Sequence, residues 1–179
     1  MGGVIVHRDR RQIGYAQRPI GQAVVFEKPD VVGHNLETVR RLYPSVRPEA
    51  DYARSLGVLS QVKKLGGGIL TKSSLLLGMG ERQEEVAEAV KDLKDAGCDI
   101  ITFGQYLAPS GRHYPVKELI TPGKFGYYRD LALSLGINNV FSGPKVRSSY
   151  RAQEVYNNIM NTHDSLLTAH DDFMRSKYA

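Results

Sequence analysis

Between about residues 29 and 152, short apolar runs alternate with longer stretches in which apolar and polar residues are mixed. Short apolar runs such as Val31-Val32 and Leu75-Leu76-Leu77 predict buried strands. Between them, apolar residues recur every three or four positions, which predicts amphipathic helices. Strands that alternate with helices are typical of β/α units in a parallel sheet. The pattern therefore predicts an α/β fold of about three β/α units.

Glycine and proline positions set the boundaries of these elements. The predicted strands are DVVGHN (30–35), ILTKSSLLLG (69–78) and DIITFGQYL (99–107), and the predicted helices are 51–65, 83–96 and 122–135. Glycines just past each helix are expected stop signals, and Pro122 suits a first helical turn. Three such units are half of a six-stranded barrel, so we expect two open sheet edges and an uncovered concave face.

The two flanks of this body are less informative. Residues 1–28 form a leader without a sustained period, and its cluster of Arg8, Arg10 and Arg11 is more typical of a solvated basic segment than of a phosphate-binding arm. Residues 153–179 begin as a helix (EVYNNIM) and continue as a polar tail. His163 and His170 share a face if this tail is helical, but no further ligands cluster nearby for a metal site.

Composition narrows the class of protein. With 179 residues, 41% apolar and 24% charged, the chain is expected to form one globular domain. Its apolar runs are far shorter than the roughly 18 residues that span a bilayer, and no apolar signal segment opens it, so we expect a cytoplasmic protein without membrane contact. A net charge of +5 suits an acidic partner. A nucleic-acid module is not favoured, because no basic stripe, stacking platform or known motif accompanies the charge.

Four ordered motifs carry the candidate chemistry: HNLETV (34–39), TKSSLLLGMGE (71–81), FGQYLAPSGRHYPV (103–116) and SGPKVRSSY (142–150). Together, over residues 29–152, they resemble the C-terminal half of lipoyl synthase, a radical S-adenosylmethionine (SAM) enzyme. The resemblance implies half of a radical SAM β/α barrel followed by a C-terminal helix. It also implies a transferase of lipoate biosynthesis that inserts sulfur into a protein-bound octanoyl group.

Two 4Fe-4S clusters and SAM are the cofactors that this resemblance implies. SAM is cleaved on a first cluster held by CxxxCxxC, and the radical formed abstracts hydrogens from the octanoyl chain. Sulfur comes from a second cluster, held by three N-terminal cysteines and the second serine of RSSY, which is Ser149 here. A hard serine oxygen matches iron–sulfur less well than a thiolate and so permits release. Arg147 is the expected catalytic residue, offsetting negative charge on the cluster-bound intermediate.

A wall for SAM and substrate is implied by the other motifs. TKSSLLLGMGE resembles the radical SAM stretch GxIxGxxE, with Ser74 where glycine is usual. Asn35, Glu37 and Arg54 are expected to meet the ribose and aminocarboxylate of SAM or the substrate amide. The complete set of expected wall residues is His34, Asn35, Glu37, Arg54, Ser74, Gly78, Glu81, Gln105 and Tyr106.

The cysteine count conflicts with this cofactor set. Cys98 is the only cysteine, whereas an iron–sulfur cluster normally takes three or four thiolates. We therefore expect a truncated or split part that is inactive alone and holds no cluster by itself. Its expected partners are an octanoylated lipoyl-carrier domain and a second chain with the cluster cysteines. The alternative is a non-catalytic fragment or binding module for the carrier protein.

Plainer interpretations stand beside these functional ones. Ser149 suits the N-cap of a helix that begins in YRAQEVYNNI. His34 suits a hydrogen-bonded histidine at a strand end, and Glu37 and Arg54 suit a simple salt bridge. Cys98, next to a predicted strand, suits a small buried hydrophobic residue.

Overall fold

A computed structural model describes residues 5–6, 25 and 28–149 apart from residue 67. These residues form a five-stranded sheet in which the strands lie in chain order. The strands are β1 (Ile5–Val6), β2 (Val31–Gly33), β3 (Leu70–Leu77), β4 (Ile100–Gln105) and β5 (Asn139–Ser142). β2 to β5 are parallel, and β1 pairs with β2 in the antiparallel direction. The predicted α/β class is confirmed, and the parallel strands with their helices are consistent with part of a radical SAM β/α fold.

Helices connect the parallel strands. After a 3-10 turn (Arg40–Leu42) come α1 (Tyr43–Val46), α2 (Tyr52–Leu65), α3 (Gln83–Asp95) and α4 (Pro122–Ser134). Side-chain caps fix two of the starts: Asp51 accepts from the Arg54 amide at 2.6 Å, and Thr121 accepts from the Lys124 amide at 3.2 Å. The three long helices lie where the sequence predicted them.

The main core lies between the sheet and the helices. Alternate residues of β3 and β4, including Leu75, Leu77 and Phe103, are fully buried against it. The helices contribute Val86, Val90 and Leu93 of α3, which recur at helical spacing, and Tyr128 of α4, whose ring stacks on Phe103 at 6.0 Å between centroids. The helical period of α3 thus marks its buried face, and the apolar runs predicted as strands are largely buried on both faces of β3 and β4.

Two features of the fold differ from the sequence prediction. β5 is a fourth parallel strand that was not predicted, because only Val140 and Phe141 are apolar in it and asparagines precede them. The short helices between Arg40 and Val46 were also missed, since four residues are too few to show a helical period.

The expectation of two open edges and an uncovered concave face was wrong in part. Ile5 and Val6 pair with Val32 and Gly33, so the edge of β2 is covered there. On the sheet face opposite the helices, Ser74 and Thr102 are buried. This face is therefore not bare at the centre of the sheet.

Other predictions lie outside the described residues. These are the basic cluster of the leader, the C-terminal helix and the polar tail with its histidines. Among the described helices, none combines the length and the apolar character needed to cross a membrane.

Candidate functional site

The carboxyl ends of β2 to β5 and the loops that follow them form one edge of the sheet, which we call the mouth. Because the strands are parallel, all four sequence motifs reach this edge. The mouth comprises segments 34–38, 78–81, 104–106 and 143–149. Parallel β/α sheets bind their ligands at this edge.

A bulge after β2 shapes the first segment. Gly33 pairs with Lys72, and the next bridge joins Glu37 to Leu75, so three residues on this side face two on β3. The Glu37 amide donates to the Ser74 carbonyl at 2.9 Å, and the Leu76 amide donates to the Glu37 carbonyl at 2.8 Å. Glu37 itself has a left-handed backbone with φ of 66°. Such a conformation is unfavourable for glutamate, and strain of this kind is often found at functional sites.

The bulge brings two predicted wall residues together. The Asn35 side-chain amide donates to a carboxylate oxygen of Glu37 at 3.0 Å. Two residues that sequence reasoning missed support this segment: the Tyr43 hydroxyl donates to the Leu36 carbonyl at 2.8 Å, and the Arg47 guanidinium donates to the carbonyls of Asn35 and Leu36. No periodic signal marks them, because their targets are backbone atoms.

Two buried polar atoms near the bulge lack a described hydrogen-bond partner: Nδ1 of His34 and Oγ1 of Thr38. The His34 backbone amide continues the ladder to the Lys72 carbonyl at 2.9 Å. Burial, together with the nearby Arg47 cation, lowers the pKa of His34. At neutral pH its imidazole is therefore uncharged. His34 lies at the predicted strand end, but its buried Nδ1 makes no hydrogen bond among the described residues.

The turn after β3 contains the next two predicted residues. The Glu81 carboxylate accepts hydrogen bonds from the amides of Gly78 at 2.6 Å and Met79 at 2.9 Å. Gly78 has φ of 104°, and a Cβ there would lie 2.3 Å from the Glu118 carbonyl oxygen. Glycine is thus required by this turn, and Glu81 holds it closed.

Gln105 joins the turn to the long loop after β4. Its Nε2 donates to the carbonyls of Leu77 (3.1 Å), Tyr106 (3.0 Å) and Glu118 (3.1 Å), and its Oε1 accepts from the Ile120 amide at 2.9 Å. The Tyr106 hydroxyl donates to the Tyr114 carbonyl at 2.7 Å. Both predicted wall residues therefore fix loop 107–119 at the rim of the mouth.

The RSS segment (Arg147–Ser149) follows Val146, whose backbone lies close to Gly104 of β4. A Cβ on Gly104 would lie 2.2 Å from the Val146 carbonyl oxygen and 3.5 Å from Arg147 Nη1. Arg147 donates to the carbonyls of Pro144 and Val146, which folds its guanidinium back on its own loop. Ser149 is exposed. The helix that Ser149 was predicted to cap lies outside the described residues.

Arg54 and Ser74 are placed differently from the others. Arg54 is exposed in the first turn of α2, and no ion pair joins it to Glu37 within the described part of the chain. Ser74 is buried on the sheet face opposite the helices, beside Thr102 of β4. A separate cavity of about 200 Å³ on the helical side contains none of the predicted site residues and is lined by Arg40, Arg41, Tyr52, Glu85 and Glu88.

Cys98 does not fit an iron–sulfur ligand in this structure. Its thiol is buried, contacts the Ile100 carbonyl oxygen at 3.3 Å, and has a pKa raised to about 12 by burial. A cysteine binds an iron–sulfur cluster as the thiolate. No group of three or more His, Cys, Asp or Glu within the described residues is arranged to hold a metal ion. These residues therefore do not fit a 4Fe-4S cluster by themselves, and Cys98 is the buried small residue that the sequence predicted.

Comparison with known proteins identifies the relatives of the chain. A lipoyl synthase of Caldicellulosiruptor saccharolyticus is 55% identical over 131 residues, which cover 73% of this chain and 46% of that protein. A lipoyl synthase of Alkaliphilus metalliredigens is 51% identical over 133 residues, with coverage of 74% and 46%. The chain matches the C-terminal half of lipoyl synthase.

The resemblance drawn from the motifs is thus confirmed. A third lipoyl synthase, from Anaeromyxobacter dehalogenans, is 51% identical over 142 residues, or 79% of this chain and 47% of that protein. The chain therefore spans about half the length of the curated lipoyl synthases that it matches. No family model matches the chain.

Proposed function

We propose that this chain supplies the C-terminal part of a lipoyl synthase, which inserts sulfur into a protein-bound octanoyl group in the cytoplasm. The observation that carries the proposal is the identity of 51–55% with lipoyl synthases over 131–142 residues. The mouth supports it, because the matched motifs meet at the sheet edge where parallel β/α folds bind ligands. The substrate in this proposal is an octanoylated lysine on a lipoyl-carrier domain.

The bulge after β2 is the proposed SAM wall. Its Asn35–Glu37 pair offers an amide and a carboxylate that suit ribose hydroxyls and an ammonium group. The neutral His34 ring presents a further nitrogen without a described partner. Glu81, Gln105 and Gly78 act in this proposal by fixing the adjoining loops, because their polar groups are already engaged by backbone atoms. Tyr106 fixes the rim, and Ser74 and Arg54 are retained as wall residues on the resemblance alone.

Ser149 is the proposed contribution of this chain to the auxiliary cluster. Its exposure leaves the hydroxyl accessible to a group brought by another segment. The thiolates must come from outside these 179 residues, since Cys98 is buried and alone. Arg147, two residues earlier, lies at the same loop and supplies positive charge there. The cluster cysteines are supplied in this proposal by a second chain or by a further segment of the same protein.

A binding module for the lipoyl-carrier protein is the second candidate. It is favoured by one observation, the lack of a metal-holding group in the described part of the chain. In this case the surface is kept for the carrier and no chemistry takes place.

Anaerobic reconstitution separates the two candidates. The purified chain is treated with iron and sulfide, alone and together with the N-terminal half of the Caldicellulosiruptor lipoyl synthase, which we expect to supply the cysteines. Charge-transfer absorbance at about 400 nm indicates thiolate-bound clusters. Ser149→Ala, with Ser134→Ala as an exposed-serine control, tests the ligand role by the EPR spectrum of the assembled clusters. Split-enzyme function predicts that only Ser149→Ala changes the auxiliary-cluster signal, and an unchanged signal contradicts it.

A further inference from the structure

One guanidinium holds the bulge of the mouth from below. Arg47 lies just after α1, and the two N–H groups of its Nη1 are shared among three acceptors: the carbonyl oxygens of Asn35 at 3.1 Å and Leu36 at 3.0 Å and the Tyr43 hydroxyl at 3.2 Å. The guanidinium also lies over the Tyr43 ring, 5.4 Å from its centroid. Tyr43 is buried and donates its own hydroxyl to the Leu36 carbonyl at 2.8 Å.

These contacts compensate for the geometry of the bulge. Three residues of segment 34–36 face only two residues of β3, so the regular ladder cannot satisfy every carbonyl of the segment. Buried carbonyls need a donor, and a cation is a strong one. The left-handed conformation of Glu37 also persists only where the surroundings hold it in place. Arg47 and Tyr43 supply donors to the carbonyls of Asn35 and Leu36, and they thereby also hold the backbone next to Glu37.

We propose that Arg47 is the positioning residue of the mouth, which fixes segment 34–37 so that the side chains of Asn35 and Glu37 are held together for the ligand. Tyr43 assists by orienting the guanidinium. The proposal rests on the proposed function only for the identity of the ligand, SAM. Arg47 acts here through the backbone and not as a catalytic residue.

Charge gives the role a second consequence. Burial, followed by the Arg47 cation, lowers the pKa of His34. Besides Arg47 and Glu37, the titratable groups next to this segment include Lys72 of β3, which is buried, accepts the His34 amide at its carbonyl, and has a pKa lowered by burial to about 8. A variant that removes the cation should therefore raise the pKa of His34, because the protonated imidazole is no longer repelled.

The test uses the full chain, labelled with ¹⁵N, and three variants. Arg47→Met removes charge and donors, Arg47→Lys keeps charge and donors on a shorter chain, and Tyr43→Phe removes one hydroxyl while Arg47 remains. Arg129→Met is the matched control, because the hydrogen bonds of this exposed arginine to described residues are all with the neighbouring Asp130. Hydrogen exchange at the Glu37 and Leu76 amides measures the local stability of the bulge. Exchange at the Tyr106 amide, which is hydrogen-bonded to the Leu77 carbonyl, measures the stability of the sheet away from it.

We expect Arg47→Met to speed exchange at Glu37 and Leu76 by about tenfold or more, the equivalent of one charge-assisted hydrogen bond. Tyr106 should be unaffected, and the His34 pKa should rise. Arg47→Lys should keep both the exchange rates and the His34 pKa close to their wild-type values. Tyr43→Phe should speed exchange while the His34 pKa stays low. Unchanged exchange in Arg47→Met, or equal acceleration at Tyr106, would overturn the proposal.

A SAM titration distinguishes this inference from the proposed function. Binding of SAM should shift the Asn35 and Glu37 amide resonances of the wild-type chain, and less so in Arg47→Met. If the wild-type chain shows no shift while exchange still depends on Arg47, the positioning role is supported and the SAM assignment fails.

Discussion

At the scale of single residues, two glycines differ in whether the fold needs the absence of a side chain. Gly104 leaves the space into which the Val146 carbonyl fits, whereas Gly126 of α4 has no atom within 4 Å of where its Cβ would lie. We predict that Gly104→Ala destabilises the chain by about 1–3 kcal/mol through overpacking. Gly126→Ala should instead stabilise it by about 0.5–1 kcal/mol, because alanine favours helix.

Urea unfolding of the two alanine variants measures both effects, since the same methyl group is added in each. Equal stability of the two variants would show that the RSS segment does not depend on the space at Gly104. Hydrogen exchange at the Val146 amide, which donates to the Gly143 carbonyl, locates the effect.

Glu85 gives a pH dependence. Its carboxylate accepts two hydrogen bonds from Arg41, at 2.6 and 2.9 Å, and this pairing lowers the pKa of Glu85 to about 2. A carboxyl group with a lowered pKa stabilises the fold above its ordinary pKa of 4.5, and this stabilisation is lost as the pH falls toward about 2. Arg41→Gln should therefore raise the Glu85 pKa and weaken the acid sensitivity in this range.

NMR titration of the Glu85 side chain in wild type and Arg41→Gln measures that change directly. Arg82→Gln provides a graded control, because Arg82 is a second and more exposed partner of Glu85. A Glu85 pKa that is unchanged in Arg41→Gln contradicts the pairing.

At the scale of elements, Gln105 connects β4 to loop 107–119. In Gln105→Met, the new side chain has a similar shape but no amide group. The Ile120 amide and the Glu118 carbonyl therefore lose their hydrogen-bond partner. Each buried group left unsatisfied costs about 1–3 kcal/mol. We predict faster trypsin cleavage after Arg112, which is exposed in this loop.

Gln83→Met is the matched control for this experiment, because Gln83 is an exposed glutamine that contacts Tyr127. It should leave cleavage after Arg112 unchanged. Equal cleavage rates for the two methionine variants would remove the structural role of Gln105.

The helices and strands were predictable where the pattern was long. The stripe of Val86, Val90 and Leu93 fixed the buried face of α3, and all three are fully buried. β5 was not predictable, because its two apolar residues give no period. The bulge at Glu37 was not predictable either, since it combines hydrogen bonds from Arg47 to the Asn35 and Leu36 carbonyls with a left-handed backbone that the sequence does not show.

At the scale of the whole molecule, the motifs identified the relatives correctly, and the parallel order of the strands explains why those motifs meet at one edge. The antiparallel β1 was missed, because two residues in a leader without periodicity carry no signal of pairing. The single cysteine, Cys98, is buried in the core, so at its described site it serves packing and not cluster binding.

Cleavage of SAM shows whether this chain has radical SAM activity without further cysteines. The purified chain, reconstituted with iron and sulfide, is incubated anaerobically with SAM and a strong reductant, and 5′-deoxyadenosine is quantified by mass spectrometry. The intact Caldicellulosiruptor lipoyl synthase serves as the positive control. We expect this chain to leave SAM unchanged while the intact enzyme forms 5′-deoxyadenosine. Formation of 5′-deoxyadenosine by this chain alone would contradict this expectation.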